Sequence, residues 1–310
     1  MRKLLISFVL LCVFGFTNAQ NLYIKTFGNI TDKAVIYLHG GPGYNCVNFE
    51  ATTAQKLANN GFFVIVYDRR GEGRSIDKNA EYSFKETFDD LNSIISKYNI
   101  GKTILIGHSF GGIVATLFTE LYPEKIESVI LVGAPVSLQE SFKHIIFKSK
   151  EIYQSKNDKV NLNYLSILET MDTTSLDYSS YCFRHAMQNG FYTPKNRTSE
   201  AKDIYALFKT DTLLRKYASK MTIDAPKGFW LNENYTTLNL KPNIERLLLK
   251  NIKIYGMYGK EDGLYSEKQI KDLQNLIGKK HLVYYENCSH NVFIDQQNKF
   301  IEYMTNSINK

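Results

Sequence analysis

Four short runs of apolar and β-branched residues, at 34–38, 62–67, 103–106 and 128–132, each end in glycine or a turn. They lack the in–out alternation of a half-solvated strand, so each must be covered on both faces, the condition of a central parallel sheet. Between them, 51–59, 83–98 and 113–122 carry helical periodicity, and Pro123 stops the last. Strands alternating with helices define an α/β chain. From 137 to 240 the texture becomes helical and aromatic-rich without clear strands; 252–258 and 281–285 then read as strands and 296–308 as a final helix. The expected organisation is a sheet domain over 20–137 and 246–310, interrupted by a helical cap over 138–245. At 310 residues and 44% hydrophobic, the chain can build a core of that size. Its 38 basic and 31 acidic residues are interspersed, with no block of five Lys or Arg, so a nucleic-acid partner is not expected.

The first nineteen residues read as a leader. Arg2 and Lys3 precede the apolar run 4–16, broken only by Ser7, and Thr17-Asn18-Ala19 places small residues before a cut at Gln20. The run is too short to span a bilayer, no later stretch approaches 18 apolar residues, and Leu11 before Cys12 argues against lipidation. A secreted or periplasmic protein without stable membrane insertion is expected. Past the leader, Cys46, Cys182 and Cys288 remain, an odd number that excludes a disulfide scaffold. Cys46 and Cys288 both fall near the motifs below, which leaves a bridge between them open.

Gly107-His108-Ser109-Phe110-Gly111 follows one strand and opens a helix. That context matches a nucleophile elbow, where small residues flank a serine left pointing outward at a helix N-terminus. A serine nucleophile needs a base, and the base needs an orienting acid. Asp262 follows the strand at 252–258, with Glu261 its neighbour and lesser rival, and His290 follows the last strand. The order Ser109, Asp262, His290 is that of an α/β-hydrolase. An oxyanion hole would take the backbone N–H of Phe110 and one from His39-Gly40-Gly41-Pro42-Gly43, with Gly41 chosen over Gly40.

His39 to Gly43, then Asp68-Arg69-Arg70-Gly71-Glu72-Gly73-Arg74-Ser75, then the elbow, resemble the proline iminopeptidase branch of the α/β-hydrolases, in order along the whole mature chain. The resemblance implies an α/β-hydrolase fold with a helical cap, and release of N-terminal residues, often proline, from short peptides. It also implies a cap glutamate that holds the substrate's free amine; Glu233-Asn234-Tyr235 is similar to the family's segment, so Glu233 is the candidate. Phe110 stands where that family usually has Trp, and His108 before the serine is common in esterases of the fold. A carboxylesterase- or lipase-like hydrolase of small esters is therefore the alternative, and a binding module on the same fold a distant one. The 68–75 loop is expected to be structural, with Asp68 and Arg69 bonding backbone.

An epoxide hydrolase or dehalogenase would carry aspartate at Ser109. No H-E-x-x-H, paired Cys/His set, P-loop or dinucleotide fingerprint occurs, so neither metal nor cofactor is expected. The expected partner is a small peptide or ester substrate.

Overall fold

The computed structural model describes residues 22–308; the expected leader lies outside them. Seven strands form one sheet: β1 (Ile24–Phe27), β2 (Lys33–Leu38), β3 (Phe62–Tyr67), β4 (Thr103–His108), β5 (Ile126–Val132), β6 (Lys253–Gly259) and β7 (Leu282–Tyr285). Their order is β1-β3-β2-β4-β5-β6-β7, and every pairing is parallel except β1 with β3. The apolar runs account for β2 to β5, and both later strands lie where they were expected. Strand β1 escaped notice because it is an edge strand of four residues, mostly half-buried, that shows no apolar run.

Each central strand divides its side chains between two cores, as a period of two requires. Ile36 and Leu38 of β2, with Phe63 and Ile65 of β3, enter the core shared with α3 (Phe84–Lys97) and α4 (Phe110–Leu121). Val35 and Tyr37, with Phe62 and Val64, enter the opposite core. That second core is closed by α1 (Val47–Phe49), a π-helical turn (Glu50–Ala54) and α2 (Gln55–Ala58) from the N-terminal half. Helices α13 (Val292–Asp295) and α14 (Gln297–Tyr303) close it from the C-terminal end.

Between β5 and β6 the chain is helical: α5 (Leu138–Ser155), α6 (Lys159–Leu168), α7 (Leu176–Gln188), α8 (Ser199–Thr210), α9 (Thr212–Tyr217), α10 (Asp224–Glu233) and α11 (Lys241–Leu249). Ser137, Asp158, Ser175, Thr198 and Asp211 cap α5 to α9, each side chain accepting an N–H of the first turn. Helices α5, α6 and α7 pack together, whereas α11 packs on α4 and β6. Helix α12 (Glu267–Ile277) starts at a capping box of Ser266 and Gln269 and returns the chain to β7. Among the described residues no helix is long and apolar enough to cross a membrane.

The three described cysteines are free and buried, which closes the question of a Cys46–Cys288 bridge. Their sulfurs face other partners: Cys46 Sγ lies 3.1 Å from Arg74 Nη2, and Cys288 Sγ 3.6 Å from the Ser289 carbonyl.

Phe49 ties the two ends of the chain together in the second core. Its ring stacks on Tyr37 at 4.0 Å between centroids and meets Phe293 edge-on at 5.3 Å. Phe49→Ala is expected to cost about 3–5 kcal/mol through the cavity it leaves, read as a lower denaturant midpoint with unchanged slope.

Candidate active site

The elbow exists because glycines let α4 approach the sheet. A β-carbon on Gly111 would stand 2.1 Å from the Leu38 carbonyl oxygen, and one on Gly107 2.5 Å from Gly112 Cα. Ser109 is held there at φ 52° and ψ −123°, a strained conformation for a non-glycine residue. A serine before a helix ordinarily turns its hydroxyl onto the first-turn N–H groups. Ser109 occupies that position, yet its side chain makes no capping bond. Its own N–H donates to the Val132 carbonyl at 3.0 Å, fastening the elbow to the end of β5.

Behind it, His290 Nδ1 lies 2.8 Å from Asp262 Oδ2, both side chains buried. With Nδ1–H donating, Nε2 is left as the basic nitrogen. Asp262 Oδ1 accepts from the Leu264 N–H at 3.1 Å, so both carboxylate oxygens are engaged. The pair rests on Gly133, at φ +50°, where a β-carbon would come 2.8 Å from the His290 carbonyl oxygen. Glu261 is turned away, accepting the Lys195 N–H of the helical segment.

The sequence marks His108 only by its place before the serine, shared with esterases of the fold, and the structure gives it a supporting role. Its ring lies 4.9 Å from that of His290, and its Nε2 is 3.2 Å from the His290 carbonyl. Burial, and secondarily His290, push its pKa well below 6.5, so it serves as a neutral strut. Tyr192 meets His290 edge-on at 5.1 Å from the other side. Neither contact has a sequence signature, because each joins residues that only the fold brings together.

The glycine loop after β2 is held by a buried ion pair. Arg69 Nη1 donates to the His39 carbonyl at 2.5 Å and Nη2 to that of Gly40 at 2.6 Å, while Nε donates to Glu72 Oε1 at 2.8 Å. Glu72 Oε2 in turn accepts the Gly43 N–H at 2.6 Å. The 68–75 loop thus bonds backbone, Asp68 and Arg69 as expected from sequence and Glu72 in addition. Gly41, Ser109 and Phe110 line one cavity, and a β-carbon on Gly40 would lie 3.1 Å from Ser109 Cβ. Arg69→Met leaves a buried carboxylate without its cation and is expected to cost about 3–5 kcal/mol in chemical denaturation. Arg69→Met with Glu72→Met should cost less than the two singles summed.

Glu233 ends α10, and its Oε1 accepts the N–H of Phe84 at 2.6 Å. The carboxylate therefore stabilises the N-terminus of α3, a favourable place for negative charge, and it is not among the residues lining the Ser109 cavity. The neighbouring aromatics do reach the elbow: Phe229 and Tyr235 meet the Phe110 ring at 5.1 and 5.5 Å.

Asp295, buried in α13, steadies the histidine loop. Its Oδ2 accepts the Ser289 N–H at 2.8 Å, and its Oδ1 accepts the Tyr205 hydroxyl of α8 at 2.9 Å. Burial outweighs these bonds and raises its pKa from 3.8 to about 6. With the folded pKa above the unfolded one, the charged form carries a cost that is absent below about pH 4 and full above about pH 6. Asn can keep both bonds by donating to the Tyr205 oxygen. Between pH 4.5 and 7.5, Asp295→Asn should therefore gain about 2 kcal/mol relative to wild type in unfolding free energy.

The sheet order, the elbow at the end of β4 and the Asp262–His290 pair after β6 and β7 are the architecture of an α/β hydrolase. A family model described as the alpha/beta hydrolase fold matches residues 33–297, and the chain belongs to that family. The AB hydrolase superfamily protein YfhM of Bacillus subtilis is 23% identical over 286 residues, covering 90% of this chain and 91% of that protein. A proline iminopeptidase of Saccharolobus solfataricus is 22% identical over 296 residues, covering 91% and 87%. Among solved structures, a carboxylesterase of a Nitrososphaera species aligns with a TM-score of 0.61 at 18% identity, covering 94% of this chain and 96% of that one.

Proposed function

We propose that the protein is a serine hydrolase that cleaves small esters through an acyl-enzyme formed on Ser109. The observation that carries this is the 2.8 Å Asp262–His290 hydrogen bond behind a serine whose hydroxyl is not spent on capping its helix. His290 Nε2 takes the Ser109 proton as Oγ bonds to the substrate's acyl carbon. Asp262 keeps the imidazole in the productive tautomer and stabilises its protonated form. The N–H groups of Phe110 and Gly41 receive the negative charge on the carbonyl oxygen, and Arg69 with Glu72 keeps the Gly41 loop in place. The protonated His290 returns its proton to the leaving alcohol. Water, deprotonated by the same histidine, then releases the acid and restores Ser109.

The preference for esters follows from charge. A free amine held in a dry pocket needs a carboxylate beside it, and among the described residues no charged side chain lines the cavity at Ser109. The iminopeptidase reading is the second one, supported by the relatives that bear that name. In it Glu233 would hold the substrate amine after giving up the Phe84 N–H. The leader motif supports export, with a mature chain from Gln20 that is secreted or periplasmic.

The test is a paired assay on the chain from Gln20: p-nitrophenyl acetate against proline p-nitroanilide and its N-acetylated form. Ester turnover is expected, reduced about 10⁴-fold or more in Ser109→Ala and about 10⁴-fold in Asp262→Asn. Anilide turnover that is lost on acetylation and weakened in Glu233→Gln would establish the second reading instead. Undiminished ester turnover in Ser109→Ala would refute both.

A further inference from the structure

The cavity beside Ser109 measures about 20 Å³, room for a group about the size of a water molecule or a methyl. Next to it lies a much larger crevice of about 580 Å³, between the start of α5, α11 and α12. Tyr265 lines both. Its neighbours divide between the two: Pro135, Leu138 and Leu264 face the Ser109 cavity, while Ala134, Val136 and Ser137 face the crevice. The partition is therefore about one residue thick.

The partition is also fastened. The Tyr265 hydroxyl donates to the Gly133 carbonyl and the Tyr258 hydroxyl to the Ala134 carbonyl, each at 2.8 Å. The two rings meet edge to face at 5.7 Å between centroids. Tyr265 is 7% exposed, so its ring is packed between the spaces and is not a loose lid. Beyond it the crevice offers apolar surface from Val136, Tyr258, Leu273 and Leu276, with Lys241, Glu245, Lys268 and Asp272 also around it. An acyl chain directed toward Tyr265 and longer than about two carbons would run into its ring. Without that ring, it would enter a crevice whose lining mixes Val136, Tyr258, Leu273 and Leu276 with polar and charged side chains.

Resting on the assignment of Ser109 as nucleophile, we infer that Tyr265 is the residue that sets acyl length. It restricts the enzyme to acetyl-sized groups and closes off a crevice able to hold a medium-chain acyl group.

The experiment compares kcat/KM for p-nitrophenyl acetate and octanoate, with Ser109→Ala as blank. Wild type should favour acetate at least tenfold. Tyr265→Ala should raise the octanoate-to-acetate ratio at least tenfold, and Val136→Trp in that background, by filling the crevice, should reverse the gain. Circular dichroism and melting check that the variants are folded, and Tyr265→Leu, which keeps an apolar side chain, replaces Tyr265→Ala should the latter not fold. Equal turnover of both esters by wild type, or an unchanged ratio in a folded Tyr265 variant, overturns the inference while Ser109-dependent turnover stands. Activity that survives in Ser109→Ala would instead strike the hydrolase assignment, and this inference with it.

Discussion

At Gly111, helix α4 passes so close to β2 that a β-carbon would stand 2.1 Å from the Leu38 carbonyl oxygen. Substitution there would force the helix away from the sheet, and with it the turn that holds Ser109 at positive φ. The same approach brings the start of α4 beside the glycine loop after β2, so Gly41, Ser109 and Phe110 share one cavity. It also lets the Ser109 N–H reach Val132 at the end of β5. The strain at Ser109 is held by packing on either side, and that packing frees the hydroxyl from capping duty.

A second close approach seats the acid and the histidine. Gly133, directly after β5, has no side chain to hold His290 and Asp262 off. The ends of β4, β5 and β6 thus converge on one spot, where the carboxyl edge of an open α/β sheet gathers functional groups. Buried charges are placed so that each has a partner. Arg69 is satisfied by two carbonyls and Glu72, and Glu72 by Arg69 and the Gly43 N–H. Such a network fixes a loop more firmly than apolar packing would, at the risk that losing either member leaves a bare charge in the core.

Much of this was legible in the chain. Continuous apolar runs announced strands covered on both faces, and the two cores bear that out residue by residue along β2 and β3. Local motifs announced the elbow: Gly107 answers to Gly112 five residues on, although the need for Gly111 comes from the Leu38 carbonyl of a neighbouring strand. What escaped depends on distance. Strand β1 has no apolar run, since one side of it faces no neighbour strand. Glu233 opens a three-residue likeness to a family segment, but its carboxylate bonds Phe84 across 149 positions. Cys46 and Cys288 are each near a motif, yet their sulfurs meet other groups. The Asp295 bond to Tyr205 and the Tyr265 partition join segments that only tertiary packing brings together, and no spacing in the sequence encodes them.

The central claim is that Ser109 is a nucleophile activated by His290. The most direct measurement is covalent labelling of the mature protein with a fluorophosphonate, followed by intact mass and peptide mapping. One phosphonyl adduct on the peptide containing Ser109, slowed at least a hundredfold by His290→Ala, is the predicted result. No adduct on the folded protein, or an adduct on another residue that persists in Ser109→Ala, would contradict it.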